Sequence, residues 1–210
     1  MYEPQGNERV VRVANLQDFF RTSIDDVIDK QGVDVDPHAT HYVVNLLTLF
    51  SRSDELYEDD GEIYGLRPLA LMLADAADAQ TPEERKHSLQ RIGDVSLFVA
   101  GFFADGLARK PVDLDYYICM GGNAYGSLSD EVRGTFRGNA FAEIYEELAR
   151  KFQVLVDVLN EVRDSARPDS DVDLLRSYEV WLKTGSKRAE KLLKAQGVTP
   201  IPGSRGKRRH

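Results

Sequence analysis

Residues 89–125 read LQRIGDVSLFVAGFFADGLARKPVDLDYYICMGGNAY, and their reading decides the fold. From Ile92 to Ala104 apolar side chains fall on every face of a helix, interrupted only by Asp94 and Ser96, and a helix apolar all round must be surrounded. The apolar run Leu97 to Ala104 is far shorter than the roughly 18 to 20 residues of a membrane span, so its surroundings are expected to be other helices. A second apolar segment follows at once, carrying Tyr116, Tyr117, Ile118, Met120, Ala124 and Tyr125 with Gly121, Gly122 and Gly126 between them. Glycine inside a helical pattern costs propensity and is best explained by close approach of a neighbouring backbone, here and at Gly93 and Gly101.

Working outward, the chain keeps helical periodicity. Leu16, Phe19, Phe20, Ile24, Val27 and Ile28 predict a helix from about Asn15, which can cap it, to Gln31, with Gly32 in the left-handed C′ position. Asp36-Pro37 reads as N-cap and first residue of a second helix carrying Val43, Val44, Leu46, Leu47, Leu49 and Phe50. An acidic, turn-rich stretch from Ser51 to Gly65 leads to LALMLADAADA and a third helix starting near Pro68. Thr81-Pro82-Glu83-Glu84 is a capping box with proline at N1, and it opens the fourth helix, the one through residues 92–104. Gly106 and Pro111 bracket the end of that helix, and a fifth follows Asp113. From Asn139 to Ala166 the stripe Phe141, Ile144, Tyr145, Leu148, Phe152, Leu155, Val156, Leu159 and Val162 predicts one continuous helix, stopped by Arg167-Pro168. Two shorter helices, about 171–184 and 186–196, end on Gly185 and Gly197. No run alternates at period two, so the expectation is an all-α, compact single-domain bundle of seven or eight helices. The helix through Gly93 to Phe103 sits at its centre, residues 13–198 form the helical domain, 1–12 are an N-terminal extension and 199–210 a flexible basic tail.

Composition agrees with this and narrows function. A chain of 210 residues with 42% hydrophobic and 30% charged residues can bury one sizeable core without staples. Its single cysteine, Cys119, excludes an intramolecular disulfide, and its place in the apolar belt predicts a buried, inert thiol. The first twenty residues lack the apolar core of a secretory signal, so the expected compartment is the cytoplasm. Net charge is −8 but unevenly held: from Lys183 onward nine basic residues face the single acid Glu190, a segment charge of +8, which leaves −16 on residues 1–182. Such asymmetry concerns partners rather than fold. Either the basic end docks on the acidic body, or Lys187, Arg188, Lys191 and Lys194, with Arg205, Lys207, Arg208 and Arg209 of the tail, reach for an external polyanion.

Several short patterns imitate sites. Glu84-x-x-His87 has the spacing used in carboxylate-bridged dimetal bundles, but only one copy occurs and Glu84 already serves the cap. His38-x-x-His41 offers two imidazoles on one face, with no local third ligand at a zinc spacing. Asp169, Asp171 and Asp173 imitate a calcium loop, which requires glycine where Leu174 stands and glutamate where Val180 stands. Gly121 to Gly126 matches neither the dinucleotide nor the Walker spacing, and no strand precedes it. Packing explains those glycines; the competing reading is a pocket for a flat or apolar ligand lined by Phe98, Phe102, Tyr116, Tyr117, Met120 and Tyr125. Catalytic triad signatures are absent, which weighs against an enzyme.

The reading that follows is a non-catalytic interaction or regulatory protein, acting through helical surfaces and its basic C-terminal end. It expects no cofactor and no membrane, and has a protein partner or a second copy of itself. The first alternative is a helical-bundle enzyme or sensor holding a metal or flat cofactor near His38, His41, Glu84 and His87. The second is nonspecific nucleic-acid binding through residues 183–210, which the acidic body would oppose.

Overall fold

A computed structural model describes residues 16–52, 68–104, 114–134, 136–165, 177, 180, 181 and 184–195. Among these there are eight helices and no strand: α1 (Leu16–Gln31), α2 (Pro37–Arg52), α3 (Leu69–Asp78), α4 (Pro82–Phe102), α5 (Leu114–Val132), α6 (Phe136–Arg150), α7 (Phe152–Ser165) and α8 (Lys187–Ala195). The N-terminal extension, the Asn15 cap, Gly106, Pro111, Gly197 and the tail 199–210 lie outside the described residues. So do the three aspartates at 169, 171 and 173 and most of the helix expected over 171–184.

The predicted end signals act as their chemistry requires. Gly32 and Gly185 adopt positive φ of 63° and 71° at the points where α1 stops and α8 is about to start. Asp36 accepts from the backbone N–H of His38 at 2.7 Å and of Ala39 at 3.3 Å, capping α2. Thr81 Oγ1 accepts from Glu84 N at 3.2 Å, and the Glu84 carboxylate returns to Gln80 N at 2.9 Å, one residue earlier than the usual reciprocal bond.

One hydrophobic cluster runs through α1 to α7. Helix α4 packs against α3, α5 and α7, and its buried residues run without a break from Val95 to Gly101. It is not alone at the centre. Six successive residues of α7, Leu155 to Asn160, are also buried, so two surrounded helices cross where one was expected. Asn160 is tolerated there because its amide donates to Ala100 O at 3.2 Å and Val156 O at 2.8 Å.

The glycines of the belt permit that crossing, though by a different contact from the one predicted. A Cβ on Gly93 would lie 2.5 Å from the Tyr125 ring, one on Gly101 2.7 Å from Leu159 Cβ, and one on Gly121 2.3 Å from the Phe152 ring. Inserted side chains, rather than neighbouring backbones, occupy these notches. The long helix expected over 139–166 is interrupted at Lys151 into α6 and α7, although Lys151 N→Glu147 O and Leu155 N→Lys151 O, both 2.9 Å, keep the chain helical on either side. No proline or glycine marks this position. The interruption lets Phe152 enter the Gly121 notch while α6 faces α2 and α5, and Lys151 Nζ donates to Asp34 O at 2.8 Å. Phe141, placed in the expected stripe, is 53% exposed, because the buried stripe of α6 runs through Ala142, Tyr145 and Leu148. Leu49 of α2 is likewise exposed.

Candidate functional site

A polar cluster at the junction of three helices is built on half-buried Asp94. This residue interrupts the apolar run of α4, and its Oδ1 accepts from the Tyr42 hydroxyl of α2 at 2.7 Å and the Tyr125 hydroxyl of α5 at 2.6 Å. Gln90 Nε2 donates to the Tyr42 hydroxyl at 3.0 Å, and the Tyr145 ring of α6 stacks on Tyr125 with centroids 6.0 Å apart. Burial pushes the Asp94 carboxyl up to about 6, against the two tyrosine hydrogen bonds and the positive charges of Arg91 and His87, which favour the ionised form. Burial, reinforced by the Asp94 charge, pushes both tyrosine hydroxyls upward, so they stay protonated donors. The arrangement ties α2, α4 and α5 through one oxygen, and its chemistry is that of a polar pin: the hydroxyls are committed and the carboxylate is their acceptor.

A second feature faces outward. Helix α3 is rich in Ala and Leu, good helix formers, and its terminal carbonyls are satisfied by Arg85 Nη1 on Ala76 O at 3.1 Å and Gln80 Nε2 on Asp78 O at 2.7 Å. It buries only Leu69, Met72 and Ala76, the stripe turned to α4. The exposed side of the helix is mostly apolar, Leu71 at 52% and Leu73 at 45% with Ala70, Ala74 and Ala77 between them, and it also carries the exposed carboxylates Asp75 and Asp78. The six-residue apolar run 69–74 carries the signal for this surface, since six successive positions cover more than one helix face.

The third feature is α8. Ser186, buried just before it, caps the helix through Ala189 N→Ser186 Oγ at 3.1 Å, and the same hydroxyl donates to Asp157 Oδ1 of α7 at 2.7 Å. Arg188 forms an ion pair with Asp164 of α7, whereas Lys187 and Lys191 are exposed and Lys194 pairs with Glu190 on its own helix. Of the basic residues expected to meet a polyanion, Arg188 is therefore engaged by the body; Arg205, Lys207, Arg208 and Arg209 lie outside the described residues.

The residues expected around a metal do not converge. His38, His41, Glu84 and His87 are all exposed, His41 shares a 3.1 Å hydrogen bond with Asn45, and Glu84 is the capping acid. Among the described residues no three His, Cys, Asp or Glu side chains come together as a metal site would need. His38 instead borders a cleft of about 460 Å³ between the start of α2 and α6, lined by Asp34, Asp36, Glu143, Glu147 and Arg150. Glu147 is buried there, accepting from Asp36 N at 3.4 Å and from Arg150.

Five of the six residues expected to line a flat-ligand pocket enter separate aromatic contacts, and the sixth, Met120, is not aromatic. Phe98 and Phe102 stack at 5.5 Å, with Phe50 edge-on to Phe98; Tyr116 and Tyr117 meet edge to face at 6.0 Å; Tyr125 is fully buried over Gly93. Met120 is half-buried against the core. Cys119, expected to be buried, is exposed, with Asn123 Nδ2 donating to its Sγ at 3.4 Å. It lies on the face of α5 opposite the one that buries Gly121, Ala124, Tyr125 and Leu128.

No match to this chain is found among protein-family models, curated proteins or solved structures. No helix among the described residues is long and apolar enough to cross a membrane.

Proposed function

We propose that this chain is a non-catalytic interaction protein whose α3 docks a helix of a protein partner. The observation that carries the reading is the exposed apolar face of α3, Leu71 and Leu73 flanking Ala70, Ala74 and Ala77. Small residues at the centre of such a face let a second helix approach closely, and the leucines supply the apolar area that such an interface buries. Exposed Asp78 on the same helix favours a partner with a basic flank. The proposal includes a cytoplasmic setting, supported by the exposed thiol of a lone cysteine, which suits a reducing compartment. Exposed Lys187 and Lys191 favour, as a second reading, a sequence-indifferent contact of the basic end with a polyanion.

The test is a pair of charge insertions, Leu71→Glu and Leu73→Glu together, in tagged chain expressed in its native cells. Both positions are exposed, so thermal unfolding is expected to be nearly unchanged. Gel filtration of the extract should show the unaltered chain well above its own 23.6 kDa and the double variant at monomer size. An unaltered chain that elutes as a monomer, or a variant that stays in the complex, overturns the reading.

A further inference from the structure

We propose that α8 is a catch-held element, docked on α7 by carboxylates and able to detach while the core stays folded. The main hydrophobic cluster includes no residue of α8, although Ala189 and Leu193 are themselves buried. Every other helix contributes to the closely packed helix pairs among the described residues; α8 does not. Among the described residues, a polar catch joins it to α7. Asp157 accepts from Ser186 Oγ at 2.7 Å and from Arg188 N at 3.5 Å, so one buried carboxylate holds both the cap and the positive end of the helix. One turn and two turns further along α7, Glu161 and Asp164 continue the acidic face. Asp164 is paired with the Arg188 guanidinium, and the charge of Arg188 helps to hold Glu161 ionised. Arg163 of α7 also bonds Asp164, at 2.7 Å, so Asp164 keeps a cation when Arg188 leaves. Gln153 Nε2 donates to Asp157 at 3.0 Å and holds the catch carboxylate in place.

A nine-residue helix does not persist alone in water, so undocking α8 also melts it. Release therefore converts a capped, docked segment into a basic arm in which Arg188 joins the already exposed Lys187 and Lys191. Release gives up three polar contacts at one helix end and the burial of only two apolar side chains, Ala189 and Leu193, a local cost that a partner or a modification can tip.

Hydrogen exchange measured by mass spectrometry on the full chain tests this. Backbone amides of 187–195 should exchange at least about tenfold faster than those of 92–101 and 155–162, because they open without global unfolding. Asp157→Asn, and separately Arg188→Gln at the half-exposed end of the same catch, should each speed α8 by roughly another tenfold, the usual consequence of losing a charge-assisted hydrogen bond. Rates in α4 are expected to stay unchanged in the Arg188→Gln variant, which keeps the experiment decisive if Asp157→Asn fails to fold. Protection of α8 equal to that of α4, exchange of α8 unaltered by Arg188→Gln, or acceleration of α4 and α8 together would overturn the proposal.

Discussion

Replacing Asp94 by Asn isolates the cost of desolvating this carboxylate. In the folded chain Asp94 titrates at about 6, above the ordinary 3.8. The folded state therefore binds more protons than the unfolded chain between those values, and stability falls as pH rises through them. The favourable share is fully present below pH 3.8 and is lost above about pH 6. At about 1.4 kcal/mol for each pH unit, the interval corresponds to roughly 3 kcal/mol forgone at neutral pH. Asparagine keeps an oxygen to accept from the Tyr42 and Tyr125 hydroxyls and carries no charge, at the expense of two new N–H donors that need partners. The expected result is a variant about 1 to 3 kcal/mol more stable than the parent at pH 8, with the difference shrinking toward zero near pH 4. Urea unfolding of both chains across pH 4 to 8 measures it. Asp157, also pushed up by burial, gives a slope of the same sign but is common to both chains and cancels in the difference. A difference that does not change with pH, or a variant destabilised at pH 8, would refute the reasoning and mean that the two hydroxyls require the ionised carboxylate.

Three further outcomes follow from the core. Phe98→Ala should cost about 3 to 5 kcal/mol and Phe102→Ala less, since Phe98 is buried and Phe102 only half so; denaturant midpoints decide. Gly121→Ala should cost roughly 1 to 3 kcal/mol because its Cβ meets both the Phe152 ring and Ser96, whereas Gly126→Ala, nearest atom 3.9 Å away, should stabilise by about 0.5 to 1 kcal/mol through helix propensity. Ser96→Ala should stabilise by about 1 kcal/mol, since the buried Ser96 hydroxyl has no hydrogen-bond partner among the described residues; a lower melting temperature would show that it has one.

Local signals with a stereochemical cause were legible in the sequence. Asp36, Thr81, Gly32 and Gly185 act through their own side chains or φ angles, and each stands where the residue type requires. Periodicity located six of the eight helices closely and merged α6 and α7 into one, and it reports only that a face is apolar, not what covers it. Hence the stripe expected over 139–166 includes Phe141, which is exposed, and the apolar belt that predicts a buried Cys119 has an open far side. The break at Lys151 depends on Phe152 finding the Gly121 notch, a contact across 31 positions that no local pattern encodes. Asp94 was visible as an interruption of the run, yet its meaning rests on Tyr42 and Tyr125, brought from two other helices. The basic end was legible as charge; that Arg188 is held by Asp164 was not, because the pairing depends on how α8 lies on α7.

The claim that α3 receives a partner helix is tested most directly by photo-crosslinking in the native cells. A benzophenone amino acid placed at position 71 or 73 should give a discrete protein adduct, while the same group at exposed Asp18 of α1 should not. Adducts absent from both α3 positions, or identical from position 18, would contradict the account.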